Sequence, residues 1–278
     1  MNTPPFDFRN ALVRLGRRIV RRRHHVAADT GLVVPACDGE GRLRVASYNV
    51  HKCIGPDGTF DPMRTAAVIA EIDADIIALQ EADKRLGSRD GRLNLAALER
   101  ETDLRLVPIA ARPKSHGWHG NALFVRRGTL LRAERIDLPH AEPRGAVLAE
   151  IRLTGGNLRV VSAHLGLLRP TRRLQLEHLM GFIVQREPMP TLLMGDFNEW
   201  RPTRGRSPFD CLRPLFGPTD VHVASFPTSR PLFPLDRIFA TPPGLIVDFA
   251  VHDTPLARRA SDHLPVKAVI DLGRVGAP

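Results

Sequence analysis

The stretch TLLMGDFNEW (residues 191–200) is a short apolar run that ends abruptly in acidic and amide side chains. Residues 191–194 predict a buried strand that runs into Gly195. Asp196 and Asn198 follow at once, where the strand ends. Because the ends of strands are where α/β scaffolds build their sites, we expect this stretch to supply both core and chemistry.

The same arrangement recurs at other predicted strands of the chain. Acid, amide or imidazole groups interrupt the ends of the apolar runs at Asn49 and His51, Glu81, Asn121, His164, Asp236, and Asp262 with His263. A hard divalent cation such as Mg²⁺ prefers carboxylate and amide oxygens. That chemistry is supplied by Glu81, Asp196, Asn198, Asp262 and Asn49. Any one of these residues is explained equally well as a cap or a turn, but together they favour a shared site.

The order of the predicted elements indicates the fold class. About ten strands with few helices between them are predicted, which is too β-rich for a doubly wound sheet. The predicted strands are residues 43–50, 76–80, 104–110, 122–126, 146–153, 158–164, 191–194, 236–240, 246–251 and 266–271. The predicted helices are residues 62–72, 93–102, 171–186 and 208–215. Two packed sheets with helices outside them suit this pattern.

Length and composition exclude several protein classes. The 278 residues are 43% apolar and 25% charged, close to globular averages, which argues against disorder, collagen or a coiled coil. No apolar run approaches the roughly 18 residues that a membrane-spanning helix needs. The net charge of +10 is uneven: residues 1–25 contain seven Arg and one Asp, which leaves +4 for the rest of the chain. The basic charge of the body is therefore weak support for nucleic-acid binding.

The N-terminal segment predicts a basic amphipathic helix. Its apolar residues recur at helical spacing on one face: Phe8, Leu12, Leu15 and Ile19. The opposite face carries Arg14, Arg17 and Arg21, and further arginines lie on the flank. Residues 27–41 read as a linker, so we expect an N-terminal segment (1–41) and a domain (42–278). Residues 6–23 either lie on an anionic membrane surface or a partner, or fold against the domain as a solvated extension. We expect a cytoplasmic protein, peripheral on the inner face of a membrane if the helix binds lipid.

Seven short motifs in order carry a family resemblance. They are SYNVH (47–51), LQE (79–81), GNALF (120–124), SAHLG (162–166), GDFNEW (195–200), LDRIF (235–239) and SDHLP (261–265). Over about residues 42–272 the chain resembles the endonuclease/exonuclease/phosphatase superfamily, which includes deoxyribonucleases, AP endonucleases, sphingomyelinases and inositol polyphosphate 5-phosphatases. The resemblance implies a four-layer α/β sandwich of two mixed sheets packed face to face, with helices outside and the site at one rim.

The resemblance also implies roles for residues. Mg²⁺, with Mn²⁺ as a substitute, is expected to be held by Glu81, Asn49 and Asp262. The catalytic residues are expected to be His263, its orienting carboxylate Asp236, Asp196, Asn198 and His164. The substrate phosphate is expected to meet Asn121, Arg144 and His51. A histidine at position 164 matches deoxyribonuclease-like and sphingomyelinase-like members, whereas AP endonucleases carry tyrosine there.

These roles predict a metal-dependent phosphodiesterase or phosphatase with a monomeric core. The general base is either His263 or Asp196. The sequence leaves the substrate unassigned. The alternatives are DNA, cut by an endonuclease or exonuclease, and a phospholipid head group or small phosphodiester at a membrane surface. A third hypothesis is a binding module without activity on the same fold.

Overall fold

The structure is a computed structural model that describes residues 25–27, 33–34, 41–85, 87–139, 142–200, 207–218 and 223–274. The predicted amphipathic helix lies outside these residues, as does most of the predicted linker. Of the N-terminal segment, two short strands are described, β1 (His25–Ala27) and β2 (Val33–Val34). None of the helices in the described ranges combines the length and the apolar composition needed to cross a membrane.

The remaining strands and helices follow in chain order. They are β3 (Arg42–Asn49), α1 (Pro62–Ile72), β4 (Ile76–Gln80), α2 (Leu95–Thr102), β5 (Arg105–Leu106), β6 (Ala122–Val125), β7 (Gly128–Asp137), β8 (Gly145–Leu153), β9 (Gly156–His164), α3 (Arg169–Val184), β10 (Thr191–Asp196), α4 (Arg213–Phe216), β11 (Asp236–Thr241), β12 (Ile246–Val251), α5 (Ala257–Ala260) and β13 (Val266–Asp271). Short 3₁₀ helices cover His51–Cys53, Pro208–Cys211 and Leu272–Arg274.

Two mixed sheets organise these strands. The first has the order β1-β7-β8-β9-β10-β11, with β2 also paired to β7, and the second has the order β12-β13-β3-β4-β6-β5. Within each sheet one pair of neighbours is parallel, β9 with β10 and β3 with β4, and the other described pairs are antiparallel. The predicted fold class is confirmed.

Three apolar clusters hold together four layers, which are the two sheets and the helices on the outer face of each sheet. The central cluster joins the facing sides of the two sheets and contains Val45 and Ile76 from one and Val160 and Met194 from the other. A second cluster packs α1 and α2 on the outer face of the sheet with β3 and β4. A third packs α3 and the 208–216 segment on the outer face of the other sheet. Because both sheets are covered on both faces, their strands read as continuous apolar runs.

The long strand β7 was not predicted, and its charged residues explain why. It carries Arg132, Glu134 and Arg135, which break the alternation of apolar and polar residues. Glu134 is nevertheless buried, because Arg186 donates to its Oε2 at 2.7 Å and Arg132 contacts its Oε1. A buried ion pair thus replaces an apolar core residue, and periodicity does not report it.

Two predicted elements are shorter than expected, and proline accounts for both. The strand predicted at 104–110 is paired only over Arg105–Leu106, because Pro108 has no N–H for a ladder hydrogen bond. The helix predicted at 208–215 is a 3₁₀ turn followed by the single turn of α4. Pro214 cannot donate to the carbonyl of Asp210, which prevents one continuous α-helix.

Candidate active site

The predicted site residues meet at one rim of the two sheets. Asn49, His164 and Asp196 are the last residues of β3, β9 and β10, and Glu81 directly follows β4. These four strands form the two parallel pairs, so their carboxyl ends point the same way within each pair. In the register of the first sheet, Asp196 lies beside His164 on one neighbour and beside Asp236 on the other.

A carboxylate and an imidazole form a buried pair at this rim. Nδ1 of His263 lies 2.8 Å from Oδ2 of Asp236, and both side chains are buried. Ser225 donates its hydroxyl to the same Oδ2 at 2.6 Å. Ser261 accepts a hydrogen bond from the backbone N–H of His263 and donates to the carbonyl of Asn49. The imidazole is therefore fixed in position, with Nε2 as its remaining polar atom.

The pair with Asp236 sets the charge of His263. Burial alone would lower the pKa of His263, but the Asp236 carboxylate and its hydrogen bond outweigh burial and raise that pKa to about 10. The imidazole is thus cationic at neutral pH, and its Nε2 carries a proton that it can donate.

Asp196 is the hub of the site. Its Oδ2 accepts from Nδ2 of Asn49 at 2.9 Å and lies 3.3 Å from Nε2 of His164 and 4.0 Å from Nε2 of His263. Its Oδ1 accepts from the backbone N–H of Asn198 at 2.9 Å. Burial raises the pKa of Asp196 to about 6, although the neighbouring His263 cation pulls it down. This carboxylate is ionised at neutral pH and is more basic than an exposed aspartate.

His164 and Arg144 form a second buried pair. Nη1 of Arg144 donates to Nε2 of His164 at 2.8 Å, and Glu142 holds the other side of the guanidinium. Burial, followed by the charge of Arg144, lowers the pKa of His164 well below its ordinary value. His164 is therefore a neutral imidazole that accepts from Arg144 at Nε2 and carries its proton on Nδ1.

The residues expected to hold a metal ion lie at the same rim. The Glu81 carboxylate is half-buried and paired with the ammonium of Lys52. Asp262 is a partly exposed carboxylate next to His263, and its Oδ1 lies 3.7 Å from Nδ1 of His51. The set offers two carboxylates and the amide of Asn49, oxygen ligands that suit Mg²⁺. Glu81 already pairs with one cation, the Lys52 ammonium, so the chemistry of these donors suits a positively charged ion.

Among the residues that the structure describes, a different trio forms a close cluster of acidic and imidazole groups. Ligand atoms of Asp196, Asp236 and His263 lie within 4.8 Å of one another, and all three residues are buried. However, Asp236 already accepts from Ser225 and from His263 through one oxygen. That hydrogen bonding suits an orienting pair better than a pair of metal ligands.

The structure brings Asn121, Asn198 and His51 close to the site, and one nitrogen of each side chain is hydrogen-bonded to a nearby backbone carbonyl. Asn121 is fully buried, and its Nδ2 donates to the carbonyls of Trp118 and Gly145. Asn198 donates to the carbonyl of Leu165, and Nδ1 of His51 donates to the carbonyl of Ile54. As placed, these groups position the loops of the rim.

Unusual backbone conformations are concentrated here. Glu81, Asn198, His51 and Lys52 all have left-handed φ values, between 44° and 58°. Residues other than glycine seldom adopt this region, and such strain clusters at functional sites. At Gly195, with φ 148°, a Cβ would lie 1.8 Å from the carbonyl oxygen of Ala163. Only glycine allows β10 to approach β9 this closely just before Asp196.

Sequence reasoning missed four residues that shape the site. Ser225 and Glu142 lie in loops and carry no motif, so only the fold reveals their contacts with Asp236 and Arg144. Lys52 and Ser261 fall within or beside the quoted motifs SYNVH and SDHLP. Their position in or next to those motifs was the signal that could have identified them.

Comparisons with known proteins agree with the geometry. The sequence profile of the Endonuclease/Exonuclease/phosphatase family matches residues 46–263. The uncharacterized protein YbhP of Escherichia coli (strain K12) is 32% identical over 255 residues, which cover 83% of this chain and 96% of YbhP. These two matches place most of the chain, including every predicted site residue, within the compared region.

Solved structures share the fold. An endonuclease/exonuclease/phosphatase from Beutenbergia cavernae DSM 12333 superposes with a TM-score of 0.62 at 23% identity and covers 84% of this chain and 72% of its own. A truncated TDP2 from Caenorhabditis elegans gives a TM-score of 0.60 at 17% identity, with 83% of this chain and 97% of its own covered. At these sequence identities, the structural similarity establishes that the three proteins share a fold.

Proposed function

The chain belongs to the endonuclease/exonuclease/phosphatase family, and from that premise we propose that it is a metal-dependent hydrolase of phosphodiester or phosphomonoester bonds. Water attacks the phosphorus in line with the oxygen that leaves. The observation that carries this proposal is the convergence of the Asp236–His263 pair on Asp196, at a rim that also holds Glu81.

Asp196 is the general base in this proposal. Its raised pKa keeps it ionised at neutral pH but makes it a better proton acceptor than an ordinary aspartate. His263, held cationic by Asp236, already carries a proton on Nε2 and so cannot take another. The proton of the attacking water therefore goes to Asp196, while His263 donates a hydrogen bond to a phosphate oxygen.

Fixed donors supply the rest of the electrostatic stabilisation. Arg144 is buried and anchored by Glu142, so its guanidinium meets a phosphate oxygen at little cost in side-chain entropy. Asn49 keeps Asp196 in place through its amide N–H. Donors that are fixed before the reaction help most where negative charge grows towards the transition state.

Glu81, Asn49 and Asp262 would hold the divalent cation, Mg²⁺ or Mn²⁺. When bound, such an ion neutralises the non-bridging oxygens and stabilises the leaving oxygen. Lys52, already beside Glu81, adds a second positive charge from the chain itself.

We propose the head group of a phospholipid as the substrate, with DNA as the alternative. Four large apolar side chains are exposed on the loops that leave or enter the site: Leu167, Leu168, Trp200 and Leu232. Trp200 packs its ring edge-on against Phe233, and the carbonyl of Phe233 accepts from Ser225. An apolar rim of this kind suits contact with a lipid surface, and the basic residues 6–23 would add attraction to anionic lipids.

The purified protein should hydrolyse bis-p-nitrophenyl phosphate with Mg²⁺ or Mn²⁺ and lose that activity with a chelator. A side-by-side assay on phospholipid vesicles and plasmid DNA then separates the substrates. Head-group release without DNA cleavage supports the lipid assignment, and the reverse result replaces it with a nuclease. A protein inert on every substrate with Mg²⁺, Mn²⁺, Ca²⁺, Co²⁺ and Zn²⁺ would be a binding module, against the proposal.

A further inference from the structure

A cationic pocket extends from the catalytic rim along the segment that follows β4. Its lining includes Glu81, Arg144 and His164 of the catalytic rim, and also Lys84, Arg85 and Arg89 of that segment, three cations that we call the far end of the pocket. Five cationic and two acidic side chains line it in all. The formal charges of these side chains sum to +3, so the pocket attracts anions.

The acidic residues of the pocket are occupied by other partners. Asp83 is buried and accepts from the backbone N–H groups of His116 and Gly117 at 2.7 and 3.2 Å. Glu81 is paired with Lys52, at the catalytic end. Neither carboxylate is hydrogen-bonded to the cations at the far end.

Arg89 at the far end is bound to an imidazole instead of a carboxylate. Its Nη1 lies 3.2 Å from Nδ1 of His119, and burial together with the charge of Arg89 lowers the pKa of His119. A neutral imidazole orients the guanidinium without neutralising it. The ring of Trp118, 4.5 Å away and edge-on, holds His119 in place. Arg144 and His164 repeat the same Arg–imidazole arrangement at the catalytic end.

The two other cations at the far end are held only loosely. Lys84 is 3.4 Å from Asp90, and Arg85 is 2.9 Å from Glu142, with about half of each basic side chain exposed, 48% and 49%. Ion pairs of such exposed groups contribute little, so a ligand anion competes for both side chains at low cost.

We propose that this far end, formed by Lys84, Arg85 and Arg89, binds a second phosphate group of the substrate, next to the phosphate that is cleaved. The inference rests on the proposed function and narrows the substrate to phosphate esters that carry at least one neighbouring phosphate. A second cavity shares Arg89 and His119 with the pocket and continues to Ser115 and Trp118, which provides room for the rest of the substrate.

Two pairs of soluble phosphodiesters test the proposal and separate the sources of the phosphate. One pair is thymidylyl-thymidine with and without a terminal phosphate, at either end. The other is glycerophosphoinositol with and without a phosphate on the inositol ring. In at least one of the two pairs, the added phosphate should raise kcat/KM by about tenfold or more. The effect should come from a lower KM, since charge-assisted hydrogen bonds are strong.

Substitution at the far end should remove that preference. In Arg89→Gln and Lys84→Gln the ratio of kcat/KM between the two members of the pair should fall towards one. Arg100→Gln is the matched control, because it removes the same charge from an exposed position on α2 and should keep the ratio. Absence of a preference in both pairs, or a preference that survives in Arg89→Gln, would overturn the proposal.

A binding measurement separates this proposal from the proposed function. Calorimetric titration of the metal-free protein with inorganic pyrophosphate requires no turnover. Arg89→Gln should weaken that binding by about tenfold and Arg100→Gln should not. If the protein binds pyrophosphate in this way but hydrolyses nothing, the hydrolase assignment fails and the phosphate site stands. If the wild-type protein does not bind pyrophosphate, the phosphate site is wrong whatever the protein hydrolyses.

Discussion

Nε2 of His263 faces Oδ2 of Asp196 across 4.0 Å, with the imidazole bound at its other nitrogen to Asp236. The two groups come from different sheets, and their pKa values are shifted upward, to about 10 and about 6. A cationic donor therefore stands opposite an ionised acceptor at neutral pH. In the proposed mechanism, Asp196 is therefore the base and His263 the hydrogen-bond donor, whereas the sequence alone left either residue as the base.

Replacing His263 by Ala should reduce hydrolysis of bis-p-nitrophenyl phosphate by about 10²- to 10⁴-fold, the usual contribution of a positioned proton donor. Asp236→Asn should lower the rate in the wild-type background but add little in His263→Ala, because Asp236 acts through the imidazole. Circular dichroism and the melting temperature check that each variant is folded. Full activity in His263→Ala would contradict the mechanism.

The protonation of His263 can be observed directly in the metal-free protein. Nuclear magnetic resonance of ¹⁵N-labelled imidazole should show His263 still protonated at pH 8, because Asp236 raises its pKa to about 10 against the effect of burial. In Asp236→Asn the pKa should fall, since burial then acts without the opposing carboxylate. A neutral His263 at pH 8 in the wild-type protein would return the role of base to the imidazole.

The same shift makes a prediction about stability. The folded protein holds the His263 proton more tightly than the unfolded chain, whose reference pKa is 6.5. The stabilising contribution is therefore complete below about pH 6.5 and is lost as the pH rises through about 10. The difference in free energy of unfolding between wild type and His263→Gln should shrink across that window in urea titrations. A constant difference would mean that the ion pair is not the source of the stability.

Glu81 and Lys52 should have opposite effects on metal binding. Glu81→Gln should weaken Mn²⁺ binding by at least about tenfold, because the ion loses one of its two carboxylate ligands. Lys52→Met should strengthen Mn²⁺ binding, because the ammonium that competes for Glu81 is gone. Calorimetry and the electron paramagnetic resonance of free Mn²⁺ measure both. Equal affinities in Glu81→Gln and wild type would exclude Glu81 as a ligand.

A buried ion pair next to the site should be important for folding. Arg172 and Glu199 are 2% and 1% exposed and lie 3.0 Å apart, and Arg172 also donates to the carbonyl of Leu167. Glu199→Gln leaves the guanidinium buried without its counter-charge, which should lower the free energy of unfolding by about 3 kcal/mol or more. Replacing both residues by Met and Leu should cost less. If Glu199→Gln is as stable as the wild-type protein in urea, Glu199 does not compensate the charge of Arg172.

Much of the fold follows from apolar runs, and the failures have physical causes. β4 and β10 are buried on both faces, so each contains an apolar run that is easy to recognise. β7 was missed because the buried Glu134 is compensated in part by Arg186, 52 positions later in the chain. Local patterns report burial of apolar groups, whereas burial of a compensated charge depends on long-range contacts.

In the candidate site, too, some features could be predicted from local sequence and others depend on long-range contacts. Its motif residues stand at strand ends, and this position predicted their convergence. The far end of the cationic pocket was not predicted, because Lys84, Arg85 and Arg89 belong to none of the motifs that carried the family resemblance. What distinguishes them is the neutral imidazole of His119 beside Arg89, a contact across 30 positions of the chain.

The wide separation of the site residues along the chain has a consequence for the newly made protein. Ser261, which fixes the backbone of His263, donates to a carbonyl 212 positions earlier, at Asn49. During synthesis from the amino end, Glu81, His164 and Asp196 leave the ribosome well before their imidazole partner. A nascent chain therefore cannot place the His263 imidazole beside Asp196 and Asp236 until translation has passed residue 263.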